Sequence, residues 1–313
     1  MTVSREQLEE CLDELSARAH DPRAGLYGPS SMAWMINREM SAFAAAGRAV
    51  MLQLAHPYVA HAIEQHSPTR NDPKGRFVRT LSKVFALIFG DLDSAVTTAR
   101  EVHTIHASIE GKITEGSGRF AAGTPYAANE EHALLWVYAT LLDSVVKAYE
   151  VFVGPLSDAQ LERYYEESCL FAYLFGLKRA QLPDSWQDFQ RYFERTVGSD
   201  DIAVCSYGRD MSFFLLEPPS LLWQPVVASY RLLTTALLPD KLRGQFGLPW
   251  GRTERLAYRA SLPLMRGSYA ALPERVRYFP AYMDARRRMQ GKGPDVASRW
   301  LEQLALRTLP HSS

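Results

Sequence analysis

The sequence predicts an all-α protein, and three observations carry the prediction. Apolar residues recur at helical spacing in one long segment after another. No run of alternating residues is bounded by hairpin turns, and Gly or Pro punctuates the helical segments. A chain of 313 residues, 47% hydrophobic and 22% charged, has the material for one large core. The expected architecture is a single large multi-helix domain of roughly ten helices or more.

The elements follow in order. Ser4 and Gln7 in "SREQ" fit a capping box that opens a first helix, and residues 1–30 form that helix and a lead-in. Helical spacing then marks 37–55, after which Pro57 ends or kinks the chain. It continues over 74–89, 93–113 and 129–153, with the polar stretch 111–130 as the one long connection. A second capping box, "SDAQ" at 157–160, opens a helix to 176, and segments 185–197, 220–237 and 253–271 follow. The division is a core at 31–178, C-terminal helices at 179–290, together one catalytic unit, and a tail at 291–313.

Composition excludes several function classes. Thirty-five basic residues balance 35 acidic ones, so no global field favours nucleic acid. Neither GxxxxGK[ST] nor GxGxxG after a strand occurs, so a nucleotide cradle is not expected. Cys11, Cys169 and Cys205 are odd in number and far apart, which predicts free thiols in a reducing compartment. The charged N-terminus lacks the pattern of a secretion signal, and the longest apolar runs fall short of a membrane span. The expected location is the cytoplasm.

Six of the eight histidines fall between residues 56 and 132. His56, His61 and His66 recur at intervals of five, so one helix face cannot hold all three. His106 fills the vacant place in the stripe Ala95, Ala99, Val102, Ile109 and Ile113, which aims it at the core. His103 falls at the edge of that face. A buried neutral imidazole needs partners for both nitrogens, and either a metal or ordinary hydrogen bonds could supply them. HExxH, paired ExxH and CxxCH are all absent. What survives among metal sites is a non-covalently held haem with one histidine ligand.

On the preceding helix Arg76, Arg79, Thr80 and Lys83 gather on the side opposite the apolar face. They form either a solvated face or, if covered, the partners of an anion such as a propionate. Glu64 is the one carboxylate in the run "AVMLQLAHPYVAHAIEQHS".

Taken as a set, "MLQLAHPYVAHAIEQHS", "DPKGRFVRT", "VHTIHASIEG", "YAANEEHALLWV" and "LLPDKLRGQFGLPW" resemble the rubber-oxygenase catalytic domain family, which includes latex-clearing proteins and MpaB-like oxygenases. The resemblance runs from about residue 31 to about residue 290. It implies a globin-reminiscent helical core holding haem b, with His106 as the iron ligand and His103 as the fallback. It also implies that Arg76, Arg79 and Thr80 line the haem pocket, and that Glu64 is the nearest candidate for a catalytic base. Two residues depart from the pattern: Arg79 stands where the latex-clearing branch has lysine, and Tyr138 where relatives usually show histidine. A guanidinium is a poor iron ligand and a good donor toward dioxygen.

The expected function is therefore a haem b-dependent oxygenase that uses dioxygen on a small, apolar, unsaturated substrate such as an isoprenoid, lipid or polyketide tail, by oxidative cleavage of a double bond. A haem- or lipid-binding carrier without turnover, and a non-haem metal hydrolase built on the clustered histidines, are the alternatives.

Overall fold

Two long helices, one rich in small residues and one in large ones, form the axis of the protein in its computed structural model, which describes residues 1–218 and 220–293. Most of the predicted tail, 294–313, lies outside the described residues. In chain order the helices are α1 (Arg5–Arg18), α2 (Met32–Asn37), α3 (Ala42–Leu54), α4 (Pro57–His66), α5 (Pro73–Phe89), α6 (Leu92–Ala107), α7 (Glu131–Phe152) and α8 (Asp158–Tyr173). They continue as α9 (Trp186–Gly198), α10 (Ser206–Leu215), α11 (Gln224–Leu237), α12 (Asp240–Gln245), α13 (Arg252–Ala270), α14 (Glu274–Arg277) and α15 (Pro280–Met289). The all-α expectation holds.

The axis is α3 against α7, and their contact is the most extensive in the protein. Ala45 and Ala49 on α3 let the two backbones approach, while Trp136 from α7 donates its indole N–H to the Leu52 carbonyl at 2.9 Å. A buried ion pair, Arg48 with Asp143, crosses the same interface. Arg48 also donates to Ser144 Oγ at 2.8 Å and to the Leu237 carbonyl at 2.7 Å, which fixes α3, α7 and the end of α11 together. One continuous apolar cluster runs from Val3 to Ala285.

The ends of the elements follow local chemistry. "SDAQ" is a full capping box: Ser157 accepts from the Gln160 amide, and Gln160 returns a bond to the Ser157 amide. "SREQ" is only half of one. Ser4 caps α1, but the Gln7 side chain donates to the Gly176 carbonyl at 2.9 Å instead of reaching back. The predicted 37–55 helix begins only at Ala42, as α3; residues 38–41 break it from α2, and there the Met40 amide donates to the Arg277 carbonyl at 2.7 Å. The predicted helix 93–113 stops at Ala107. Residues Glu110–Lys112 form β1, which pairs antiparallel with β2 (Pro125–Ala127), so the polar connection closes as a small hairpin.

Candidate functional site

The α5–α6 pair, joined at one point by Lys83 to Glu101 at 2.7 Å, carries five of the six predicted site residues. Asp72 and Asp91 cap the two helices by accepting from the Gly75 and Ser94 amides, which sets where each turn begins. His106 and His103 lie in the last turns of α6 and Arg76, Arg79 and Thr80 in the first half of α5, while the sixth candidate, Glu64, is on α4.

The two histidines differ from the expectation. His103, predicted at the edge, is buried, and its Nε2 donates to the Val3 carbonyl at 3.2 Å. His106, predicted deep in the core, is half-buried as a residue. By spacing it lies seven residues after Ala99 and eleven after Ala95, each within about 20° of whole turns, yet the buried face of α6 runs through Ala95, Ala99 and His103. What the stripe could not show is the cover. The N-terminal segment closes over His103, whereas the last turn of α6 meets α5 at the polar Arg76.

The Nδ1 atom of His106 is nonetheless sealed from solvent and has no hydrogen-bond partner. Burial, the neighbouring His103 and the Arg76 guanidinium together push its pKa down to about 4. It is a neutral imidazole with a bare nitrogen. Asn129, which sequence reasoning did not single out, reaches the His106 side chain and donates to the His103 carbonyl at 3.3 Å. Its signal was present: it is a buried amide just before the start of α7, inside the motif "YAANEEHALLWV".

Among the described residues the Arg76 side chain has a single hydrogen bond, to Thr69 Oγ1 at 3.3 Å, and no carboxylate partner. Burial and the nearby Arg79 lower its pKa, so its charge is held at a cost that an anion would relieve. The other candidates are turned elsewhere. Arg79 is exposed and pairs with Asp72 at 3.0 Å, and Thr80, also exposed, donates to the Arg76 carbonyl at 2.9 Å. Glu64 is engaged by Arg70 at 2.9 Å.

A second histidine group lies around the hairpin. His56 caps α4 by accepting from the Tyr58 amide at 3.2 Å, and its ring lies 5.4 Å from that of His132, with Tyr58 and Phe120 packed alongside. Burial pushes the His56 pKa to about 3. His61 donates through Nδ1 to the Pro57 carbonyl at 2.8 Å, and His66 is exposed. Among the described residues no group of three or more His, Cys, Asp or Glu side chains converges on a point where a metal could sit. The hydrolase alternative has no ligand set there.

A cavity of about 70 Å³ opens between α2, α5, α7 and α8, lined by Val84, Ile88, Leu142, Tyr138 and Tyr164 among others. The Tyr138 hydroxyl is buried there without a hydrogen bond, although the Cys169 thiol lies near enough to feel it. That volume suits a small molecule, not a macrocycle.

The sequence profile of the "ER-bound oxygenase mpaB/B'/Rubber oxygenase, catalytic domain" family matches residues 33–267. The chain belongs to this family. Among curated proteins, an uncharacterized protein of Mycobacterium bovis and one of Mycobacterium tuberculosis are each 23% identical over 238 residues, covering 74% of this chain and 89% of theirs. No solved structure matches. The mpaB/rubber-oxygenase match spans α5, α6 and both histidine groups.

His106 and Arg76 are groups that a haem needs. An axial ligand must present a neutral nitrogen with a free lone pair, and the unpartnered Nδ1 of His106 offers one in the tautomer that carries its proton on Nε2. A propionate needs a cation that is not already neutralised, and Arg76 is one.

Proposed function

We propose that this chain is a haem b-dependent oxygenase, an oxidoreductase that consumes dioxygen and acts on a small apolar, unsaturated substrate. The observation that carries the reading is the unpartnered Nδ1 of His106 within electrostatic reach of an Arg76 that has no carboxylate partner among the described residues, in a chain of an oxygenase family. His106 holds the iron and Arg76 receives a propionate, while Asn129 orients the imidazole and His103 fixes the end of α6 through Val3. Bound haem supplies the oxygen chemistry, with oxidative cleavage of a carbon–carbon double bond as the favoured outcome.

The protein supplies orientation and access. Arg79 and Thr80 stand one turn past Arg76 and are exposed, and a part for them toward haem or dioxygen requires the Arg79–Asp72 pair to open. Glu64 acts as a base only when released from Arg70. No helix among the described residues is long and apolar enough to cross a membrane. Cys11, Cys169 and Cys205 are free and buried, in keeping with a reducing, cytoplasmic setting.

The decisive measurement is the visible spectrum of protein purified from haem-replete cells. A Soret band that shifts on reduction and carbon monoxide binding supports the reading, and its absence ends it. Bound haem without oxygen consumption on any apolar extract would make the chain a carrier instead.

A further inference from the structure

Seven of the twelve large hydrophobic side chains exposed among the described residues fall between residues 213 and 264. Leu221 and Leu222 are 86% and 85% exposed on a single turn ahead of α11, and Leu264 is 73% exposed on α13. A protein rarely leaves such a concentration bare unless something covers it in use.

The charge of the same region is one-sided, although the chain as a whole is neutral. From residue 220 to residue 270 there are seven basic residues and two acidic ones. The arrangement on α13 is regular. Its inner side carries Tyr258, Leu262, Met265 and Tyr269 and packs toward α7 and α11. Its outer side carries an apolar row, Leu256, Ala260 and Leu264, at intervals of four, and beside it a basic row, Arg252, Arg255 and Arg259. All three arginines are exposed, and none has a carboxylate partner among the described residues. The one acid of the helix, Glu254, is used at its start, where it accepts from the Gly251 amide at 2.7 Å.

We infer that this face docks on an anionic lipid bilayer. α13 lies in the plane of the interface, with Leu256 and Leu264 among the acyl chains and the arginine row among the headgroups, while the Leu221–Leu222 turn dips in beside it. Charge complementarity selects the occupant: a row of unpaired arginines asks for a dense array of anions, which a lipid surface supplies. A second copy laid face to face would bring like arginine rows together and is disfavoured. The inference does not depend on haem, and its test needs no activity.

The test is cosedimentation of the full chain with vesicles of equal parts phosphatidylglycerol and phosphatidylcholine, and with phosphatidylcholine alone. The wild type is expected to bind the anionic vesicles roughly tenfold more tightly, an advantage that salt reduces. Leu256→Ser with Leu264→Ser, and separately Leu221→Ser with Leu222→Ser, should remove most binding. Arg252→Gln, Arg255→Gln and Arg259→Gln together should lower it to the level of neutral vesicles. Circular dichroism melts should show all three variants folded, because the side chains are exposed. No binding to either vesicle, or equal binding by wild type and variants, would overturn the inference. So would a wild-type dimer in sedimentation velocity that the Leu256→Ser, Leu264→Ser variant converts to a monomer.

Discussion

Arg76 on α5 lies near enough to His106 on α6 for its charge to lower the imidazole pKa, and among the described residues no carboxylate pairs with the arginine. The guanidinium helps keep the imidazole neutral, and the neutral imidazole leaves the guanidinium unanswered. Each is costly in the protein by itself, and one ligand that is both metal-bearing and anionic resolves both costs.

Separating the two histidines is the first test. His106→Ala should abolish the Soret band, while His103→Ala should keep most of it and lower the melting temperature through loss of the Val3 contact. The opposite pattern in the spectra would transfer the ligand to His103.

Arg76→Gln removes a positive charge beside His106. In haem-free protein the His106 pKa, followed by NMR, should rise from about 4, because a neighbouring cation had been disfavouring the protonated ring. Haem affinity should fall by roughly tenfold through loss of the anion partner. An unchanged pKa would show that burial alone sets it.

Acid should destabilise the fold through His56. Its pKa in the folded protein, about 3, lies below that of an unfolded chain, so unfolding takes up a proton between pH 6.5 and 3. Stability from this group is complete above pH 6.5 and drains at about 1.4 kcal/mol per pH unit as pH falls through the window. His56→Asn replaces the capping ring nitrogen with a side-chain oxygen that does not titrate, and should flatten the slope in urea denaturation. If the slope persists unaltered, His56 is not its source.

The Tyr138 hydroxyl is buried without a partner, so Tyr138→Phe should leave stability unchanged or raise it by about 1 kcal/mol. A clear drop in melting temperature would mean that the hydroxyl has a bond partner in solution, such as water in the adjoining cavity.

Arg48→Met alone should cost about 3–5 kcal/mol, because it strands the Asp143 carboxylate between α3 and α7. Adding Asp143→Leu should recover much of the loss. A double variant no better than the single one would locate the value of the pair in its Ser144 and Leu237 bonds.

Which parts were legible in the sequence depended on range. The amphipathic helices α5 to α9 followed from spacing, since each buries one face of its own periodic pattern. α10 and α12 escaped because they are short and begin without a side-chain cap, and α10 also carries Gly208, tucked against the Leu54 carbonyl. The β1–β2 hairpin has three residues per strand, too few for alternation to register. At the site, the spacing of His106 was legible and its cover was not, because the residue that buries His103 lies 100 positions away. Arg76 and Arg79 looked equivalent on one helical side. Only the cap at Asp72 tells them apart, by claiming one and leaving the other.

The first residues of the chain bear on how the protein is handled. Val3 receives the His103 bond and its amide donates to the Asn129 carbonyl at 2.8 Å, so a few N-terminal atoms brace both the histidine helix and the residue that reaches His106. A preparation clipped by a protease within those residues, or carrying a purification tag fused against them, would read as a haem-binding defect while every ligand remained in place.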